Sequence, residues 1–208
     1  MDDSQLKLSL FQAIKTMADS IGFKDTMVAY QIENHHSVSQ IARTTAQLMN
    51  LKPEEINGLR VGATLLDFGI VNIPNEILNK PDKLSEQEYN IIKQHPVHGY
   101  QLLKMIDFPW PVARMVLQHH ERVDGSGYPA GLKQGDIIMA ARIIAVADVV
   151  HSITSDRPWR SALSIDTALD EITKNRGIQF DPEVVDACVE LFTNQRQRLT
   201  PQFYGREL

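Results

Sequence analysis

The sequence predicts an all-helical domain, and three observations carry that prediction. Apolar residues recur at spacings of three and four along most of the chain, proline and acidic pairs stand where first helical turns begin, and no run of alternating residues or paired turn signals suggests a hairpin. Leu10, Ile14, Met17 and Ile21 put one apolar face on a first helix that covers the core. A second face runs through Val38, Ile41, Thr45 and Leu48. Pro53-Glu54-Glu55 opens a third helix, with proline in the first turn and acids at the positive end of the dipole, and carries Leu59, Ala63 and Leu66 toward Asp67. Val71-Asn72-Ile73-Pro74 and Asn79-Lys80-Pro81-Asp82-Lys83 read as proline-bounded loops.

Ser85 and Glu88 have capping-box spacing ahead of Ile91, Ile92 and His95, and Pro111 begins a segment through Val112, Met115, Val116 and His119. Ile137 to Ile153 reads as a long apolar helix with Asp148 embedded in it. A carboxylate in such a setting needs a metal, a cation or a hydrogen-bond partner. Ser164 starts a helix through Ala168 and Ile172 that stops at Gly177, and Asp181-Pro182-Glu183 caps a last one with Val184, Val185 and Leu191. The expected organisation is an N-terminal helical segment over 1–30, one domain over 31–195 and a polar tail over 196–208.

The chain has 208 residues, enough for one domain with a sizeable core, and a formal net charge of -5. That balance argues against a nucleic-acid backbone as partner, since such domains carry a basic face. The single cysteine, Cys188, excludes an intramolecular disulfide and is expected to pack as a small apolar residue. Met1-Asp2-Asp3-Ser4-Gln5 lacks the basic flank and apolar run of a secretory signal, and no window approaches a membrane span. A cytoplasmic location is the expectation.

The densest chemistry lies in His119-His120-Glu121-Arg122-Val123-Asp124-Gly125-Ser126-Gly127-Tyr128-Pro129, two imidazoles and two carboxylates in a glycine-bearing turn. Adjacent histidines on a helix point about 100° apart, so both reach one ion only if the helix ends there. The stretch reads as half of a metal site. With the histidines and aspartates at other helix ends, the candidate set is His36, Asp67, His95, His119, His120 and Asp148. Imidazole and carboxylate suit iron, manganese or zinc, and a pair of such ions can clamp a phosphodiester and generate hydroxide.

These residues, with Ile73-Pro74-Asn75-Glu76-Ile77-Leu78-Asn79-Lys80-Pro81, His95-Pro96 with Gly99, Arg142 to Asp148, Ser155-Asp156-Arg157-Pro158-Trp159-Arg160 and Gln179-Phe180-Asp181-Pro182, make the chain resemble the HD-GYP family of the HD phosphohydrolase superfamily. The resemblance covers roughly residues 30 to 190. It implies an HD-superfamily helical bundle with a C-terminal HD-GYP extension, a di-metal centre, or in some members a tri-metal one, and hydrolysis of cyclic di-GMP to pGpG or GMP. By the same resemblance His36 and Asp148 serve a first metal, Asp67 bridges and is the catalytic carboxylate, and His95, His119 and His120 complete a second. Tyr128 lines the substrate pocket, Arg157 and Arg160 contact phosphates, and Gly127-Tyr128-Pro129 docks onto diguanylate cyclase (GGDEF) domains.

The chain departs from the family where His-Asp is followed by Gly-Lys, since it reads Leu66-Asp67-Phe68-Gly69-Ile70, and where an aspartate is usual it has His151. Leucine cannot coordinate a metal, so the first site is eroded to one or two ions in all. Either His151, which shares a helix face with Asp148, or His35 supplies the missing imidazole, or both are solvated surface residues. Two functions follow: a cyclic di-GMP phosphodiesterase with impaired or unusual metal use, or a module that binds cyclic di-GMP or a partner without turnover. A homodimer through the first helix is a further expectation.

Overall fold

The structure is a computed structural model that describes residues 26–80, 82–156 and 160–194, with the backbone alone for residues 26–36 and 194. The expected helix through Leu10 to Ile21, the tail from Gln195, Arg157, and the side chains of His35 and His36 lie outside the described residues. From His35 onward the chain forms one unit, and Met1–Asn34 forms another.

The described elements are helical: α1 (Thr26–Leu48), α2 (Pro53–Thr64), α3 (Asn75–Leu78), α4 (Glu86–Ile92), α5 (His95–Leu103), α6 (Val112–Gln118), α7 (Met139–Thr154), α8 (Ile165–Lys174) and α9 (Pro182–Asn194), with short 3₁₀ turns at Phe68–Asn72 and Gln134–Asp136. No strand occurs among the described residues; isolated bridges pair Asp124 with Lys133 and Arg176 with Phe180. The all-helical expectation is met.

α7 is the central element. Ile143, Ile144, Val146, Ala147 and Val150 are buried along it, and they join Val38, Ile41 and Ala42 of α1, Leu59 and Ala63 of α2, Met115 of α6, Ile172 of α8 and Val184, Cys188 and Leu191 of α9 in one core. Burial pushes the Cys188 thiol up to about 12, so this cysteine packs as the expected apolar residue.

Capping follows the sequence closely. Ser85 Oγ accepts from the Glu88 amide at 3.2 Å while Glu88 accepts from the Ser85 amide at 2.7 Å, and Ser164 Oγ accepts from the Thr167 amide at 3.1 Å. Asp181 opens α9 by accepting from the Glu183 amide at 2.9 Å, and its other oxygen takes Arg142 Nη1 at 2.6 Å. That ion pair ties α9 to the start of α7.

Two boundaries differ from the expectation. The segment expected to run from Ser85 through His95 is broken after Ile92, because Pro96 has no amide to continue the ladder and is seated in the first turn of a new helix. The loop expected over 71–74 overlaps the 3₁₀ turn, and the single turn α3 lies between it and the loop expected from Asn79, an element the short, proline-divided pattern did not announce.

Candidate metal centre

Four side chains from three separate segments converge. One ligand atom each from Asp67, His95, His119 and His120 lies within 4.8 Å of every other. Asp67 follows α2 and leads the 3₁₀ turn, His95 begins α5, and His119 and His120 stand immediately after the last residue of α6. The helix does end at the histidine pair, as adjacent ligands require.

Gly69 brings Asp67 to His95. The 3₁₀ turn lies backbone to backbone on α5, so a Cβ at Gly69 would overlap the His95 carbonyl oxygen and the Gly99 amide. A Cβ at Gly99 would in turn lie 2.7 Å from Val116 Cγ1 of α6. These two glycines let three elements approach closely enough for Asp67 Oδ1 to sit 3.1 Å from His95 Nε2 and 3.7 Å from His119 Nε2.

Backbone carbonyls fix the imidazole tautomers. His95 Nδ1 lies 2.8 Å from the Ile92 carbonyl and His119 Nδ1 lies 2.7 Å from the Val116 carbonyl. A carbonyl only accepts, so both Nδ1 atoms carry protons and both Nε2 atoms turn their lone pairs inward, 3.3 Å apart. Two facing lone pairs beside a carboxylate need a proton or a cation between them. Burial alone would lower the His95 pKa, but the Asp67 hydrogen bond and charge, the Ile92 carbonyl and Asp148 outweigh it and hold it above 6.5. Burial and the neighbouring imidazoles push His120 well below that value, leaving it neutral.

Three imidazoles and one carboxylate form a borderline N/O donor set, with outer hydrogen bonds on His95 and His119, and they fit a divalent ion such as iron, manganese or zinc. Asp148 is half-buried on α7 and is not one of these four, although its charge acts on His95, Arg122 and Tyr128. His151 is 7 % exposed, with Nε2 3.0 Å from Ser155 Oγ. The solvated-surface reading of His151 is therefore corrected: one helical turn past Asp148, its ring lies inside the fold. Leu66 is 1 % exposed and belongs to the apolar core.

The signature turn is organised by its own carboxylates. Glu121 is 3 % exposed and accepts from the Ala130 amide at 2.7 Å and the Leu132 amide at 2.8 Å, clamping the far side of the turn. Asp124 accepts from the Ser126 amide and hydroxyl at 2.9 and 2.7 Å. Neither acid belongs to the convergent group, and both hold backbone amides instead.

Gly127 packs so that a Cβ would overlap the Arg122 amide and the His120 carbonyl, which lets the Tyr128 amide donate to that carbonyl at 3.1 Å. Tyr128 then stacks on His120, centroids 4.6 Å apart and planes 27° apart. Burial, with the nearby Tyr89, Asp67 and Asp148, raises the Tyr128 pKa, so its phenol keeps its proton.

Arg160 donates to the Ile153 carbonyl at 3.1 Å, the Ser161 carbonyl at 2.8 Å and the Ser152 carbonyl at 2.8 Å. Its guanidinium closes the end of α7, a different engagement from the phosphate contact expected of it. Glu121 and Gly69 were absent from the candidate residues. The available signals were an acid directly after the histidine pair and a glycine two places after Asp67.

Comparison with known proteins agrees with this picture. The family model described as HD domain matches residues 12–184. The chain is 39% identical over 180 residues to the cyclic di-GMP phosphodiesterase response regulator RpfG of Xanthomonas campestris, covering 86% of this chain and 47% of that protein. It is 32% identical over 169 residues to 3'3'-cGAMP-specific phosphodiesterase 1 of Vibrio cholerae, covering 79% and 38%. The chain thus spans about half or less of these relatives' length. Among solved structures, an HDG"Y"P protein from Bdellovibrio bacteriovorus aligns with a TM-score of 0.64 at 21% identity, covering 78% of this chain and 52% of that one. The HD domain of the Listeria monocytogenes phosphodiesterase PgpH aligns at 0.60 and 19%, covering 86% and 93%. Both share the fold. From residue 12 to residue 184 the chain belongs to the HD domain family, with His119 to Pro129 as its HD-GYP signature.

Proposed function

We propose that this chain is a metal-dependent phosphodiesterase acting on a cyclic dinucleotide, cyclic di-GMP first among them. The observation that carries the reading is the inward direction of the His95 and His119 Nε2 lone pairs beside Asp67. The activities for which the relatives are named, on cyclic di-GMP and on 3'3'-cGAMP, support the substrate class.

Asp67, His95, His119 and His120 would hold the metal, which when bound acts as a Lewis acid toward a phosphoryl oxygen and makes water a better nucleophile. Tyr128, protonated and stacked on His120, presents a phenol that donates a hydrogen bond to a substrate oxygen beside the metal group. Glu121 keeps the loop bearing Tyr128 in place. His36 and Asp148 belong to a second ion in this reading, iron or manganese at both positions, with His35 and His151 as alternative imidazoles. Arg157 remains the candidate phosphate contact.

One observation favours a second reading. Leu66 is buried in the core and Ile70 offers no charge, so the chain lacks the two polar groups that the family resemblance would put beside Asp67 in sequence. The alternative is a module that binds cyclic di-GMP, or a diguanylate cyclase domain through Gly127-Tyr128-Pro129, without turnover. A cytoplasmic, homodimeric protein with its catalytic domain over 31–195 completes the proposal. No described helix is long and apolar enough to cross a membrane.

The test is anaerobic purification with iron or manganese supplied, a count of bound metal, and chromatography of products from cyclic di-GMP. Bound metal with pGpG or GMP formed, both lost in Asp67→Ala, supports the enzyme. Bound nucleotide with no product supports the binding module.

A further inference from the structure

Lys93 stands between two aromatic rings at the edge of the metal centre. Its Nζ lies 4.8 Å from the Tyr89 ring centroid and 5.6 Å from the Tyr128 ring centroid. Tyr89 is one helical turn earlier on α4, and the Lys93 amide donates to the Tyr89 carbonyl at 3.0 Å, so the lower ring is fixed by the helix itself. The upper ring is the one stacked on His120. Lys93 is therefore separated from the metal group by a single aromatic side chain.

The same short junction also positions a ligand. Ile92, the residue before Lys93, gives its carbonyl to His95 Nδ1, and His95 follows two residues later. The backbone that aims His95 inward thus carries the ammonium that reaches Tyr128. Any shift of this junction moves both together.

Four described cations have partners of their own. Arg122 donates to the His119 and Glu121 carbonyls beneath the signature turn, Arg142 pairs with Asp181, Arg160 closes α7, and Lys80 lies 2.8 and 2.7 Å from the two Glu88 oxygens. Lys93 has no carboxylate within ion-pair distance among the described residues, and Tyr89 beneath it is 47% exposed. Ring faces attract an ammonium without accepting its protons into strong hydrogen bonds, so its donors stay available for an anion. A half-buried cation beside an aromatic edge is also less hydrated than a free one, which strengthens its hold on phosphate.

We propose that Lys93, held between Tyr89 and Tyr128, is the binding residue that receives an anionic phosphodiester as it lies against the Asp67–His95–His119–His120 group. The inference rests on the functional reading above and adds a residue to it. Lys93 touches substrate rather than reacting atoms, so its removal weakens binding and leaves metal loading unchanged.

The test uses the full chain loaded with manganese, and measures metal content, melting temperature and affinity for a non-hydrolysable phosphorothioate analogue of cyclic di-GMP. Lys93→Met is expected to bind it about tenfold or more weakly, the loss of one charge-assisted hydrogen bond, with metal content and melting temperature as in the parent. Lys93→Arg, which keeps the charge, is expected to retain most of the affinity. Parent-like affinity in Lys93→Met would overturn the assignment while leaving the functional reading intact. Equal loss in both variants, or loss accompanied by lower metal content, would make Lys93 a packing residue and overturn it as well. A parent protein that carries metal but binds no analogue would sink the functional reading, and this inference with it.

Discussion

Gly69 and His95 share a contact that no side chain could replace: the backbone of the 3₁₀ turn rests on the first turn of α5, and a β-carbon at Gly69 would overlap the His95 carbonyl oxygen. This approach sets the distance between the carboxylate two residues before Gly69 and the imidazole opposite it. Gly69→Ala should push the turn off α5, destabilise the fold by about 1–3 kcal/mol and abolish metal uptake. Urea denaturation with metal analysis checks it. Parent-like metal content in a folded variant would show that Asp67 is placed by something else.

Glu121→Gln exchanges a double acceptor for a group with one acceptor and one donor, facing two amides that both donate. One buried amide is left unmatched, at a cost of about 1–3 kcal/mol. The loop that stacks Tyr128 on His120 should loosen and become susceptible to proteolysis near Gly131, while metal binding persists through His119 and His120. Simultaneous loss of metal would instead place Glu121 among the ligands.

Metal uptake should strengthen as pH rises. His95 in the metal-free protein holds its proton above 6.5, because Asp67 and the Ile92 carbonyl outweigh the effect of burial, and a metal must displace that proton. Without metal, His95 favours the folded state most fully below 6.5, and that contribution disappears as pH climbs through its raised pKa. Calorimetric titration with manganese across this range, in buffers of different ionisation enthalpy, should show proton release on binding. An affinity independent of pH would show that His95 holds no proton for the metal to displace.

Leu66→Ala should cost about 2–5 kcal/mol, as for a leucine in the apolar core, yet leave the metal content of the folded fraction unchanged. Thermal unfolding with metal analysis separates the two effects. Loss of metal without loss of stability would mean that Leu66 shapes the site rather than the core.

Much of the helical framework could be read from the chain because its signals are local. Ser85 and Glu88, Pro53 with its acids, and the apolar stripe from Ile143 to Val150 act within one or two turns, where propensity and capping operate. Chemical type at helix ends also identified Asp67, His95, His119 and His120, since imidazoles adjacent in sequence share a ligand sphere only where a helix stops. Asp148, on the same reasoning, belonged with them.

The tertiary structure decided which of these groups meet and what the remaining polar residues do. Asp67 and His95 are separated by a turn, a single-turn helix and all of α4, and their 3.1 Å approach depends on glycine backbones touching across elements, which no periodicity records. Glu121 and the guanidinium of Arg160 meet amides and carbonyls left unpaired by a loop and a helix end, engagements that only the fold reveals. Lys93 carries no signal of a role in the sequence, and its place beside Tyr128 comes from the tertiary structure alone. The sequence by itself determined the helices and the kinds of ligand available. Distances, tautomers and the division between structural and reactive polar groups were decided by packing, because each depends on backbone atoms from segments far apart in the chain.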